Sequence, residues 1–167
     1  MIDKKEKILI IGPSSSGKST LIQEWITKGL AKKKEICFAY QYNIIRRYTR
    51  RIFHYNLFGN INNNTSDIEG DKLLKKILTI NSLSVYILFA DQKELEDRIS
   101  KREYTEYDII NQKKEYKREK ILKILRKCNY IELYKSLIQL LDKQEIKYTI
   151  LDTTEFKLKE ITHDKIY

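Results

Sequence analysis

Short runs of consecutive apolar residues alternate along the chain with longer stretches in which apolar residues recur every three or four positions. The continuous runs predict strands buried on both faces, at residues 7–11, 36–40, 84–90 and 147–151. The helical spacing predicts helices from residue 19, through residues 71–80, over residues 92–102, at residues 121–125 and 131–141, and over residues 154–161. Strands alternating with helices predict an α/β domain, with a parallel sheet of four to five strands and helices on both faces. The optional fifth strand would lie near residues 43–45.

Polar and glycine-containing segments separate these elements. Gly29 suits the end of the first helix, and Ser66 or Asp67 is a candidate cap for the second. Residues 61–66 predict an exposed loop. Residues 104–120 are almost wholly polar and charged, which predicts either a solvent-facing helix or a mobile lid.

The length of 167 residues and the hydrophobic fraction of 41% fit one domain with one substantial core. We therefore expect a single domain over residues 1–167, with its core in residues 7–60 and 84–161. The sequence contains no apolar run of membrane-spanning length and no signal-peptide cleavage site, so we expect a cytoplasmic protein without a membrane segment. Cys37 and Cys128 stand apart without a metal-binding motif, and we expect two reduced thiols.

The net charge of +10 is unevenly distributed. Residues 1–80 carry 15 Lys or Arg against 7 Asp or Glu, and residues 36–66 contain neither Asp nor Glu. This acid-free stretch contains four closely spaced arginines: Arg46, Arg47, Arg50 and Arg51. Guanidinium groups at this density predict an anion-binding segment. A solvated basic face that aids solubility is the alternative interpretation of the wider excess of lysine.

The sequence GPSSSGKST at residues 12–20 matches the Walker A pattern GxxxxGK[ST] at every fixed position. It directly follows a predicted strand and directly precedes a predicted helix, which is the context that the motif requires. The glycines let the backbone curl so that successive N–H groups point inward, and the helix adds the positive end of its dipole. The predicted nucleotide-binding residues are Gly12, Pro13, Ser14, Ser15, Ser16, Gly17, Lys18, Ser19 and Thr20.

Two residues of this loop have specific chemical roles in the hypothesis. Lys18 would reach the β- and γ-phosphates of ATP as a catalytic cation, and the Ser19 hydroxyl would ligate Mg²⁺, which bridges the same phosphates. The predicted cofactors are therefore ATP and Mg²⁺. A loop that binds nucleotide without catalysing a reaction is the alternative.

Arg98 and Arg102 lie one helical turn apart after the predicted strand at residues 84–90, where a candidate lid spanning residues 98–120 begins. As catalytic residues, the two guanidinium groups would fold over the γ-phosphate and stabilise the transferring phosphoryl group. The alternative is that both arginines pair with acidic neighbours: Glu94, Asp97 or Glu106.

The last predicted strand leads into a loop that contains Asp152, Thr153 and Thr154. Because ligands of parallel α/β sheets lie beyond the carboxyl ends of the strands, this loop would lie level with residues 12–20, which we call the phosphate loop. Asp152 and Thr153 are therefore candidate ligands for the nucleotide base. A simple capping role for Asp152 at the final predicted helix is the alternative.

The segments GPSSSGKST, VYILFADQKELEDRISKRE and YTILDTTEF together resemble, in order and spacing, the P-loop nucleoside and nucleoside-monophosphate kinases. The C-terminal half is most similar to thymidylate and deoxynucleoside kinases, and the phosphate loop also resembles that of guanylate kinases. The resemblance implies a three-layer P-loop NTPase fold, with Arg98 and Arg102 as lid arginines and residues 152–154 as the nucleobase loop. It also implies a homodimer as one oligomeric state.

This sequence differs from the family pattern in the middle of the chain. Thymidylate-type kinases carry an Asp-Arg-Tyr or similar acidic motif there, at the end of a strand. The nearest match is IIRRYTRR at residues 44–51, in which Arg46 takes the acidic position and Arg47 and Tyr48 follow. Similarity to guanylate kinases implies instead that Arg47 and Arg50 grip the acceptor phosphate. The predicted substrate-binding residues are Arg46, Arg47, Tyr48, Arg50 and Arg51.

The absence of a carboxylate at this position affects which class of acceptor is expected. A hydroxyl acceptor generally needs a general base, whereas a monophosphate is already an anionic nucleophile. The arginines therefore favour an ATP-dependent kinase that phosphorylates a nucleoside monophosphate over one that phosphorylates a nucleoside. An acidic side chain in the acceptor pocket, from Asp67, Glu69 or Asp71, would reverse that preference. Two other functions stay open: a nucleic-acid-binding or end-modifying protein that uses the basic, aromatic residues 40–58, and a catalytically inactive ATP-binding relative.

Overall fold

The computed structural model describes residues 6–38, 50–57, 68, 70–102, 114–155 and 159–166. In chain order, this part of the molecule contains β1 (Lys7–Gly12), α1 (Lys18–Thr27), β2 (Ile36–Phe38), β3 (Ile52–Asn56), α2 (Lys72–Leu78), β4 (Leu83–Phe89), α3 (Gln92–Lys101), α4 (Lys114–Lys127), α5 (Tyr130–Lys143), β5 (Tyr148–Asp152) and β6 (Lys159–Ile161). Short 3₁₀ turns precede β2 at Lys33–Glu35 and follow β6 at His163–Ile166. Among the helices so described, none has the length and apolarity to span a membrane.

The strands form one sheet in the order β2-β3-β1-β4-β5-β6. The first five strands of this order run parallel to one another, whereas β6 pairs antiparallel with β5 at the edge. Gly12, the last residue of β1, is the register partner of Asn56, the last residue of β3. The α/β class and the largely parallel sheet expected from the sequence are therefore confirmed.

Helices cover both faces of the sheet. Ile8 and Ile10 of β1 pack on one face with Leu21 and Trp25 of α1. The alternate β1 side chains, such as Leu9, join a larger cluster on the other face, to which α2, α3, α4 and α5 contribute. Burial on both faces explains why β1 is a continuous apolar run in the sequence. Because β1 runs parallel to its neighbours and ends at Gly12, the turn from β1 to α1 lies at the carboxyl edge of the parallel strands.

Two strands were not expected from the sequence. β3 lies where no strand was predicted, because His54 and Asn56 interrupt its apolar run and two arginines precede it. β6 occupies the end of the segment where a closing helix over residues 154–161 was expected, and that expectation is wrong for residues 159–161. A three-residue edge strand with one buried side chain has no pattern of its own, and its pairing with β5 determines it.

The second helix begins later than expected. Asp71, rather than Ser66 or Asp67, is its N-cap, and the Asp71 carboxylate accepts the backbone N–H groups of Leu73 and Leu74. The optional strand at residues 43–45 and residues 103–113 of the candidate lid lie outside the described residues.

Candidate functional site

The Walker A motif forms the turn between β1 and α1. Its backbone is left-handed at Ser15, with φ 64°, and at Gly17, with φ 92°. At Gly12, a Cβ atom would lie only 2.7 Å from the Leu88 carbonyl oxygen of β4. The turn therefore favours glycine at residue 12 for close approach to β4 and at residue 17 for its left-handed backbone.

The Lys18 side chain is buried and folds back into this turn. Its ammonium group donates hydrogen bonds to the carbonyl oxygens of Gly12, at 2.9 Å, and of Pro13. The Ser16 hydroxyl oxygen lies 3.4 Å from the same nitrogen. Burial, followed by the charge of Arg102, lowers the pKa of Lys18 to about 7. An anion bound next to Lys18 would oppose both effects and raise this pKa, because its negative charge would stabilise the ammonium group.

The first turn of α1 presents hydroxyl groups and no acid. Ser19 and Thr20 are exposed and line a cavity in front of the turn. No acidic residue lies in the first turn of this ten-residue helix, so its positive dipole end is uncompensated there. Mg²⁺ in P-loop sites is held by the Ser or Thr hydroxyl of the loop and a carboxylate, with phosphate oxygens and water completing the shell. Ser19 is placed to supply the hydroxyl, whereas the described lining of the cavity supplies no carboxylate.

The cavity has a volume of about 510 Å³, in the range of small-molecule sites. Its described lining residues are Ser14, Ser15, Gly17, Lys18, Ser19, Thr20, His54, Asn56 and Arg102. Two of these residues carry cationic groups, and none of these described residues is acidic. The lining therefore favours an anionic ligand.

His54 and Asn56 of β3 are site residues that the sequence patterns did not predict. Both line the cavity, whereas Tyr55 between them belongs to the core cluster on the other face of the sheet. Burial, and secondarily the charge of Lys18, lower the pKa of His54 to about 4. The alternation of polar and aromatic residues in the sequence IFHYN is the signal that would have revealed a strand with one polar face.

Arg102 follows α3 as its C-cap and lines the cavity. Its charge is the second cause of the lowered pKa of Lys18. The structure therefore brings Arg102 to the same cavity as the residues of the loop at 12–20, and its catalytic role stays a prediction.

Arg98 has different surroundings, because its guanidinium group donates to backbone carbonyls of two loops. The acceptors are the carbonyl oxygens of Ser15 at 3.4 Å, of Thr154 at 3.2 Å and of Thr153. The Arg98 Nε group also donates to the Glu94 carboxylate at 2.7 Å. Pairing with an acidic neighbour, the alternative interpretation, thus describes part of the Arg98 environment. The hydrogen bonds of Arg98 to backbone carbonyls join the phosphate loop to residues 153–154.

Thr153 supports the phosphate loop from the end of β5. The Thr153 hydroxyl has one proton to donate, and its oxygen lies 3.0 Å from the carbonyl oxygens of both Ser16 and Phe89. The same oxygen accepts a hydrogen bond from Arg98 at 3.2 Å. Asp152 accepts the backbone N–H of Thr154 at 2.9 Å, which closes a local turn. Asp152 therefore caps a turn, and residues 153–155, which follow it, are not helical.

Arg50 and Arg51 lie at the opposite end of the sheet from the phosphate loop, because they precede β3 and the strands are parallel. Arg51 donates to the Leu30 carbonyl at 2.9 Å and forms an ion pair with Glu35 at 3.4 Å. Arg50 donates to the Ile36 carbonyl at 3.3 Å. This placement corrects the expectation that these two arginines bind an acceptor beside the phosphate loop.

The other predicted acceptor residues lie outside the described residues: Arg46, Arg47 and Tyr48. The same is true of Asp67 and Glu69. Asp71 lies within the described residues. It caps α2 and accepts a hydrogen bond from the Tyr55 hydroxyl, and it is not among the described residues that line the cavity. Asp71 therefore gives no support to a hydroxyl acceptor.

The chain matches no protein-family model, and no curated protein matches it. The function of the chain is therefore inferred from the geometry and chemistry of the site.

Proposed function

We propose that this chain binds Mg-ATP in the loop at residues 12–20 and transfers the γ-phosphoryl group to a nucleoside or nucleoside monophosphate. In this proposal, the α/β domain is a three-layer P-loop NTPase fold. The observation that carries it is the buried ammonium group of Lys18, held by loop carbonyls beside a cavity whose described lining has no acidic residue.

Polyphosphate binding is supported by the backbone of the loop. Left-handed residues at Ser15 and Gly17 alternate with residues of negative φ, which is the kind of conformation that directs successive N–H groups toward an anion. The N-terminus of α1 follows at once and adds its dipole. Lys18 would exchange its loop carbonyls for the β- and γ-phosphates, which are stronger acceptors because they are charged.

Catalysis in this proposal depends on positioning and electrostatics, as phosphoryl transfer generally does. The Ser19 hydroxyl would hold Mg²⁺, which neutralises charge on the phosphates when bound. Lys18 and Arg102 are the catalytic cations, because both face the cavity. We assign Arg98 to positioning the loop, and residues 152–154 to the side of the ATP base.

The direct test is a panel of nucleosides and nucleoside monophosphates incubated with Mg-ATP, with ADP release as the measurement. We expect turnover with at least one acceptor, and a loss of about a hundredfold or more in Lys18→Ala. Lys28→Ala is the matched control, because Lys28 lies just beyond the same helix, is exposed and pairs only with Glu24 in the described contacts. Equal turnover in the two variants would contradict the mechanism.

A further inference from the structure

Two side chains of β3, His54 and Asn56, face the cavity from the strand next to the phosphate loop. They are two residues apart and therefore share one face of the strand. The register pairs Asn56 with Gly12, which places Asn56 at the carboxyl edge of the sheet, where the loop begins. A molecule that occupies the cavity together with a loop-bound phosphate would meet this wall.

The chemistry of the wall suits an acceptor that needs no general base. The Asn56 amide donates and accepts hydrogen bonds but does not take up a proton at neutral pH. His54 is neutral at pH 7, since burial and the charge of Lys18 lower its pKa to about 4. A histidine with this pKa is a weak base, whereas efficient general bases have pKa values near the working pH.

The same wall suits an anionic acceptor. The Asn56 amide offers N–H donors, and Arg102 and Lys18 add cationic groups to the cavity. These groups would hold a second anion next to the donor phosphates despite their mutual repulsion. The acceptor's own anionic oxygen would then attack phosphorus, the bond to the leaving ADP oxygen would break, and no proton would need to be removed.

We infer that His54 and Asn56 form the acceptor side of the site and select an acceptor that presents a phosphate monoester. This inference rests on the proposed function, because it requires a nucleoside triphosphate in the loop. It assigns the acceptor to the carboxyl end of β3, at the opposite end of that strand from Arg50 and Arg51.

The test compares thymidine monophosphate and guanosine monophosphate with their nucleosides, and Asn56→Asp with the wild type. We expect the wild type to prefer one monophosphate over its nucleoside by at least about tenfold in kcat/KM. Asn56→Asp should raise the KM for that monophosphate by about tenfold, because the new carboxylate repels it. Its Kd for Mg-AMP-PNP, measured by calorimetry, should change by less than about threefold.

Two further variants keep the test decisive. Asn56→Ala removes the amide without adding charge and should raise the same KM by a smaller factor. Asn81→Asp makes the same change at an exposed position before β4, at the other end of the sheet, and should leave the KM unchanged. A wild type that prefers nucleosides, or an unchanged KM in Asn56→Asp, would overturn the inference alone. Failure of the wild type to bind Mg-AMP-PNP would overturn the proposed function as well.

Discussion

The hydroxyl oxygen of Thr153 lies 3.0 Å from the carbonyl oxygen of Ser16, although 137 positions of the sequence separate the two residues. Thr153 follows β5, and Ser16 belongs to the turn after β1. Strand β4 lies between these two strands in the sheet. This hydrogen bond therefore joins the two loops at one edge of the sheet, and it makes the shape of the phosphate loop dependent on the C-terminal part of the chain.

Replacing Thr153 with Val should destabilise the fold by about 1–3 kcal/mol, because the buried Ser16 carbonyl loses its hydroxyl donor. Mg-ATP binding should weaken at the same time. Urea unfolding and calorimetry measure the two effects. Thr27→Val is the control, because Thr27 is exposed and bonds only within its own helix in the described contacts; a change within about 0.5 kcal/mol is expected. Equal effects of the two substitutions would contradict the linking role of Thr153.

Arg98→Ala should raise the Kd for Mg-ATP by about tenfold and destabilise the fold by about 1.5–3 kcal/mol, because charged hydrogen bonds to both loops are lost. Arg98→Lys should recover part of each effect, since an ammonium group keeps the charge but cannot span several carbonyls. Lys101→Ala on the same helix serves as the control, because Lys101 is exposed and forms a surface pair with Asp97. A lowered kcat with an unchanged Kd would instead identify Arg98 as a catalytic residue.

Gly12→Ala should cost about 1–3 kcal/mol and abolish nucleotide binding, because the new Cβ would meet the Leu88 carbonyl at 2.7 Å and displace the turn. Gly29→Ala is the control at the end of α1. It has a φ of 71° and no heavy atom within 4 Å of the added Cβ, so it should cost about 1 kcal/mol through its backbone alone. Calorimetric titration should show nucleotide binding retained in Gly29→Ala and lost in Gly12→Ala; retention in both would contradict the steric argument.

Mg-ATP binding should take up a proton above pH 7. The pKa of Lys18 is about 7 in the free site, because burial and Arg102 oppose its charge, and bound phosphates would raise it. Above pH 7 the complex therefore holds more protons than the free protein, so affinity should fall as the pH rises through this range. Below pH 7 Lys18 is charged in both states and adds no further dependence, and His54, with a pKa of about 4, stays neutral well above that value.

Calorimetry at pH 8 in two buffers of different ionisation enthalpy measures this proton uptake. Lys18→Met provides the reference, because any proton uptake that remains in that variant belongs to the nucleotide or to other groups. Equal uptake by the wild type and Lys18→Met would show that Lys18 is not the group that titrates.

The sequence by itself determined those features that depend on consecutive residues. β1 is a continuous apolar run because it is buried on both faces, so its composition alone identifies it. β4 is mostly apolar and mostly buried, and β5 was predicted from its apolar residues although only Ile150 of that strand is buried. The motif at residues 12–20 is also a local pattern, and it places Gly17 where the turn has a positive φ. The close approach that Gly12 permits is, by contrast, to Leu88 of the distant strand β4. Together with the alternation of helices, these patterns were sufficient to predict the α/β class.

Only the tertiary structure decided which distant residues share the site. Asn56 lies beside Gly12 because β3 pairs with β1, and the same parallel pairing carries Arg50 and Arg51 to the far end of the sheet. Arg98 and Arg102 are equivalent by helical spacing, yet one contacts loop carbonyls and the other lines the cavity. The physical reason is that strand register and helix packing bring together groups far apart in the chain, and a pattern of neighbouring residues does not encode those distances.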